Sequence, residues 1–159
     1  MIASPGGANS YGTIDRTDGF SVAYRKVCQQ RPEILCQSLE GKELFRMPTP
    51  DGGVAHAEFM IGNTRIYISD EAAEWHAFAM PEGSMASCLF SIATDDCDGS
   101  YDRAIDAGAE ALSEPQNQFW GTRSAIIKDP FGYRWSFIQR IEDVSPEDLE
   151  KRAQEYFLS

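Results

Sequence analysis

The decapeptide Asp129-Pro-Phe-Gly-Tyr-Arg-Trp-Ser-Phe-Ile138 constrains the fold of this chain more than any other stretch. Pro130 fixes φ and removes a backbone donor, and Gly132 accepts dihedrals that a β-carbon resists, so the chain reverses here between two strands. Beyond the turn, Tyr133, Trp135 and Phe137 fall on one face of a strand, and Arg134, Ser136 and Ile138 on the other. The first face is strongly apolar and the second is mixed. A weaker echo lies at Ile61-Gly-Asn-Thr-Arg-Ile-Tyr-Ile68, where Gly62-Asn63 makes the turn and Ile66 and Ile68 carry the apolar face. Gly41-Lys-Glu-Leu-Phe-Arg-Met-Pro48 and Gly108-Ala-Glu-Ala-Leu-Ser-Glu-Pro115 share glycine, glutamate and proline at matching places. The chain reads as a duplication, two modules packed about a pseudo-two-fold axis.

A chain of 159 residues, 42% hydrophobic and 11% aromatic, suits one domain with a real core. Its formal net charge of −11 argues against nucleic acid or an anionic membrane surface as partner, since both require a basic footprint. No window approaches the roughly 20 apolar residues of a membrane helix, and Met1 to Gly19 lacks a charged-then-apolar leader pattern. A cytoplasmic protein is expected. Cys28, Cys36, Cys88 and Cys97 include no Cys-x-x-Cys pair, so reduced thiols are expected and a zinc cluster is not.

Residues 1–19, rich in glycine, serine and asparagine, read as a flexible arm. The first module, about 20–69, is expected to hold strands at Phe20–Arg25, Leu44–Met47, Val54–Ile61 and Thr64–Ser69, with a helix near Pro32–Leu39. Asp70 to Gly83 connects the modules as a surface loop carrying Trp75 and His76. The second, about 84–139, is expected to hold strands at Ser84–Thr94, Ala109–Leu112, Thr122–Lys128 and Tyr133–Gln139, with a helix over Cys97–Ala107. The single domain spans 20–140. A C-terminal helix within 141–159 is capped by Ser145, with Leu149, Arg152, Ala153, Tyr156 and Phe157 on one face.

Asp129-Pro-Phe-Gly132, Phe119-Trp-Gly-Thr-Arg123, His56-Ala-Glu58 and Glu142-Asp-Val-Ser-Pro-Glu147 together resemble the PhnB-like branch of the vicinal oxygen chelate superfamily, which includes glyoxalase I, bleomycin-resistance proteins and extradiol dioxygenases. The resemblance runs from about Leu44 to Phe157. It implies an α+β fold in which two βαβββ modules form a cup-shaped mixed sheet with helices outside. In Val54–Ile61 the apolar Ala57, Phe59 and Ile61 suit the helix side, which leaves His56, Glu58 and Met60 facing the cup. By the same alternation Arg65 and Tyr67 face it in the fourth strand, and Arg134 and Ser136 in the eighth.

Metal-dependent members hold a divalent ion with donors from both modules, among them a last-strand glutamate. That position is Ser136 here and its first-module counterpart is Tyr67, while Ser87-Cys-Leu-Phe-Ser-Ile92 offers no histidine. The resemblance therefore implies no cofactor, a divalent metal being the less favoured alternative. His56 and Glu58, two apart on one face, are the candidate catalytic pair, an imidazole and a carboxylate able to orient it or act as base; the alternative is a polar strand face. Tyr67, Trp120, Arg123 and Ser136 are the candidate ligand-binding residues. Tyr67 offers a hydrogen-bond donor or fills the pocket, and Phe119, Trp120 and Arg123 offer rings and a planar cation for carboxylate or phosphonate oxygens, or else rim packing. The expected function is binding of a small organic molecule by a homodimer, with catalysis left open. The alternatives are a metal-dependent lyase, isomerase or dioxygenase with rearranged ligands, and a sequestering protein like the antibiotic-binding relatives.

Overall fold

The computed structural model describes residues 19–24, 41–62 and 64–158. The expected N-terminal arm, apart from Gly19, and the expected helix near Pro32–Leu39 lie outside the described residues. The strands run β1 (Gly19–Tyr24), β2 (Lys42–Pro48), β3 (Val54–Ile61), β4 (Thr64–Asp70), β5 (Leu89–Ala93), β6 (Glu110–Asn117), β7 (Thr122–Lys128) and β8 (Arg134–Arg140), with helices α1 (Cys97–Asp106) and α2 (Pro146–Leu158). The fold is α+β, with two four-stranded mixed sheets ordered β1-β4-β3-β2 and β5-β8-β7-β6. The order is the same in both. Each sheet pairs its first strand with its last in parallel, β1 with β4 and β5 with β8, and the remaining neighbours antiparallel. A parallel pair needs a long crossover, and α1 stands in the crossover from β5 to the rest of its sheet.

The strand alternation read from the sequence is realised in burial. Trp135 and Phe137 are buried on one face of β8, where Ala125 and Ile127 of β7 join them, and Ala57, Phe59, Ile66 and Ile68 form the equivalent layer in the first sheet. Helix α1 seals the second sheet with Cys97 and Ala104, while Tyr101 and Ile105 pack at its margin. Asp96 caps that helix by accepting the Gly99 amide at 2.9 Å.

Two strand boundaries depart from expectation by five residues, the others by two at most. β5 begins at Leu89 rather than Ser84, because the Ser84 amide is spent on the Pro81 carbonyl and the Ala86 amide on the Gly132 carbonyl at 2.8 Å. β6 runs on to Asn117 instead of ending at Leu112. It passes through Pro115, which the lattice of hydrogen bonds tolerates because β6 is an edge strand paired only with β7. Shifts of register between Ala111 and Gln116 accompany that passage.

The turn at residues 129–132 is built around a buried carboxylate. Asp129 accepts the amides of Phe131 and Tyr133, each at 2.9 Å, and the Trp135 indole N–H at 3.1 Å. Gly132 has φ of 93°, and a β-carbon there would stand 2.6 Å from the Ser84 carbonyl oxygen. Glycine is thus required both by the dihedral and by the close approach of the loop between the modules.

Candidate functional site

The polar face of the first sheet gathers residues from three strands. Register sets Glu58 opposite Tyr67 and Met60 opposite Arg65 across β3 and β4, and Met47 opposite His56 and Phe45 opposite Glu58 across β2 and β3. A shift of register between Glu43 and Phe45 turns Phe45 and Met47 toward that face. That shift is why alternation along β2 alone did not mark them, although their exposure, 50% and 45%, makes them the open apolar border of the site.

Within this face the side chains form a connected array. His56 Nε2 lies 3.3 Å from Glu58 Oε1, and Arg65 Nη1 donates to Glu58 Oε2 at 2.9 Å. The His56 ring stacks on Tyr67 with centroids 5.7 Å apart and 27° between planes, and Phe45 approaches it from the other side at 6.3 Å. With its proton on Nε2 the imidazole donates to Glu58 and keeps Nδ1 as an acceptor. His56, Glu58, Arg65 and Tyr67 are therefore brought together, as alternation along β3 and β4 anticipates. The array offers a flat aromatic surface, a carboxylate-held imidazole and a phenol.

As donors for a divalent ion these residues are poorly suited. Glu58 is already met by a guanidinium, so a cation beside it would face a fixed positive charge at close range. Tyr67 and Ser136, at the two equivalent strand positions, offer neutral hydroxyls. Among the described residues no group of three or more histidine, cysteine, aspartate or glutamate side chains converges.

The other candidates fall elsewhere. Ser136 is buried in the middle of β8, opposite Ser91 of β5 and Ile126 of β7, on the face away from Trp135 and Phe137. Arg123 does not share that face. Its alternation with Ala125 and Ile127 points it to the helix side, where it makes a bidentate pair with Asp98 of α1 at 2.5 and 2.6 Å and donates to Asn117 at 3.0 Å. The hydrogen-bonded pair holds the Asp98 carboxyl below the ordinary carboxylate range and raises the arginine. Trp120 sits in the turn before β7, edge-on to Phe119 at 4.8 Å, and Phe119 in turn meets Tyr156 of α2 at 5.0 Å. These aromatics dock the C-terminal helix at the sheet margin.

Of the described cysteines, Cys88 and Cys97 are free thiols. Burial, more than the nearby Asp98, pushes the Cys97 thiol up, which leaves it an inert packing residue of α1.

A model of the Glyoxalase/Bleomycin resistance protein/Dioxygenase superfamily matches residues 19–137. An uncharacterized protein of Mycobacterium bovis is 28% identical over 121 residues, 74% of this chain and 80% of that protein. TioX from Micromonospora sp. ML1 shares the fold with a TM-score of 0.62 and 20% identity, over 79% of this chain and 98% of TioX. TnmS3, an antibiotic binding protein from Streptomyces sp. CB03234, does so with a TM-score of 0.55 and 23% identity, over 80% and 98% of the two chains.

Proposed function

This chain belongs to the glyoxalase/bleomycin resistance protein/dioxygenase superfamily, and we propose that it binds a small organic molecule on the polar sheet faces without a metal ion. The observation that carries this reading is the array on the first sheet, in which His56 is stacked on Tyr67, flanked by the tilted ring of Phe45 and anchored to Glu58. Such a surface takes a planar ligand by stacking and orients it through the imidazole and the phenol. The Glu58–Arg65 pair supports a metal-free site, because the positive charge that a cation would bring is already supplied. TnmS3 is an antibiotic binding protein of the same fold, which favours binding and sequestration over turnover as the role proposed here. We further propose a cytoplasmic homodimer of the PhnB-like branch, on the strength of the motifs around Phe119–Arg123 and Asp129–Gly132. No helix among the described residues is long and apolar enough to cross a membrane.

The test is equilibrium binding of a panel of aromatic small molecules, followed by calorimetry, with melting temperature recorded in parallel. His56→Ala is expected to weaken binding about tenfold while leaving the melting temperature close to wild type, since the imidazole lies outside the buried layer. EDTA is expected to change neither quantity. Equal loss of binding and stability in His56→Ala would make the histidine structural, and a chelator-sensitive melting temperature would overturn the metal-free site.

A further inference from the structure

Arg65 on β4 and Arg134 on β8 hold equivalent places in the duplicated sheets. Arg65 stands opposite Met60 and two residues before Tyr67; Arg134 stands opposite Lys128 and two residues before Ser136. Each has a buried Nε that meets no acceptor among the described residues. A buried N–H with no acceptor is costly, and in native proteins such a group calls for a partner, a water or an anion among them.

The two arginines differ in how their charge is met. Glu58 neutralises Arg65 at 2.9 Å. Arg134 has no carboxylate partner among the described residues: its Nη2 donates to the Ser87 carbonyl at 2.8 Å. Its cross-strand neighbour Lys128 is another cation, itself paired with Glu110 at 2.6 Å. The chain has 25 acidic residues against 14 basic ones, and among the described arginines a guanidinium without an acid is the exception. Guanidinium groups bind paired oxygens of carboxylates and phosphonates through parallel N–H donors, which a carbonyl contact leaves available.

From this we propose that the small molecule is an anion, a carboxylate or phosphonate, whose acidic group is bound by Arg134 with the Ser136 hydroxyl next to it on the same face. The assignment rests on the small-molecule reading above and names the chemical class of its ligand.

Phenylphosphonate and benzoate serve as charged probes and benzamide as the neutral one, titrated calorimetrically at low salt. The wild type is expected to bind the two anions at least about tenfold more tightly than benzamide, a preference that falls as salt rises. Arg134→Gln is expected to remove that preference by weakening the binding of both anions about tenfold. Arg140→Gln, at the exposed end of the same strand where the partner is Asp143, is expected to keep it. Equal affinity for benzamide and the anions overturns the anion assignment while leaving the binding reading in place. An anion preference that survives Arg134→Gln overturns the role of Arg134. Failure of all three probes to bind overturns both. The comparison of charged with neutral probes on the wild type needs no variant, so it decides the ligand class even if Arg134→Gln does not fold.

Discussion

At the scale of single residues, Asp129 shows how one carboxylate organises the turn that dominates the sequence. Burial raises its pKa above the ordinary aspartate value, against the lowering effect of the Trp135 indole and the Tyr133, Phe131 and Gly132 amides. The folded chain thus holds this proton more tightly than the unfolded chain. The linked stability is full below the unfolded pKa of about 3.9 and is lost as pH rises through the folded value. Asp98 and Glu142 run the opposite way, since the Arg123 and Arg152 guanidinium groups hydrogen-bonded to them lower their pKa. Their contribution is present above the unfolded pKa and disappears as pH falls. Asp129→Asn is expected to cost about 1–3 kcal/mol in urea denaturation at neutral pH, because an amide cannot accept from both the backbone N–H groups and the indole without turning its own N–H₂ on one of them. The variant is also expected to lose the decline of stability with rising pH above about 4 that Asp129 contributes. A wild-type slope retained in Asp129→Asn would assign it to another group. The carboxylate's role was not read from the sequence, where Asp129 appeared only as the first letter of a turn. Its partners become visible once the strand brings Trp135 back over it.

At the scale of elements, the C-terminal helix is attached at an edge and contributes nothing to the core. Its start was legible: Ser145 accepts the Asp148 amide at 3.1 Å and Pro146 occupies the first helical position. The expected packing face is only partly used, with no residue of α2 buried and Phe157 77% exposed. What holds α2 is Arg152, which meets Glu142 with two hydrogen bonds at 2.6 and 2.8 Å and donates to the Phe119 carbonyl at 3.2 Å, together with the Phe119–Tyr156 ring contact. Gly121, at φ of 86°, lets the chain pass close to this junction, where a β-carbon would stand 2.7 Å from the Glu142 carbonyl oxygen. Arg152→Ala is expected to strip hydrogen-exchange protection from residues 146–158 while leaving β7 and β8 protected. Loss of protection throughout the second sheet would show the helix to be integral to the module.

At the scale of the whole molecule, the duplication inferred from two weak sequence echoes appears as two sheets with the same strand order and the same single parallel pair. Leu44, Phe45 and Met47 on edge strand β2 and Tyr156, Phe157 and Leu158 on α2 leave apolar surface open, and we propose that a second copy covers part of it. Light scattering at low concentration is expected to give the dimer mass, and a monomer mass alone overturns that proposal. The sequence by itself determined most strand boundaries of the described residues to within two positions, with β5 and β6 missed by five at one end, the buried layers at Phe59, Ile66, Trp135 and Phe137, and the polar faces that carry His56, Glu58, Tyr67 and Ser136. Burial on one side of a strand is a period-two code written locally in the chain. Strand alternation already set Arg65 and Glu58 on one face as possible partners, and only the tertiary structure decided how the charges are finally met: Arg65 by Glu58, Arg123 by Asp98, and Arg134 by the Ser87 carbonyl with no carboxylate among the described residues. Those partners lie between seven and 47 residues apart, so their meeting depends on cross-strand register and on where a helix docks. Local periodicity does not encode either of these.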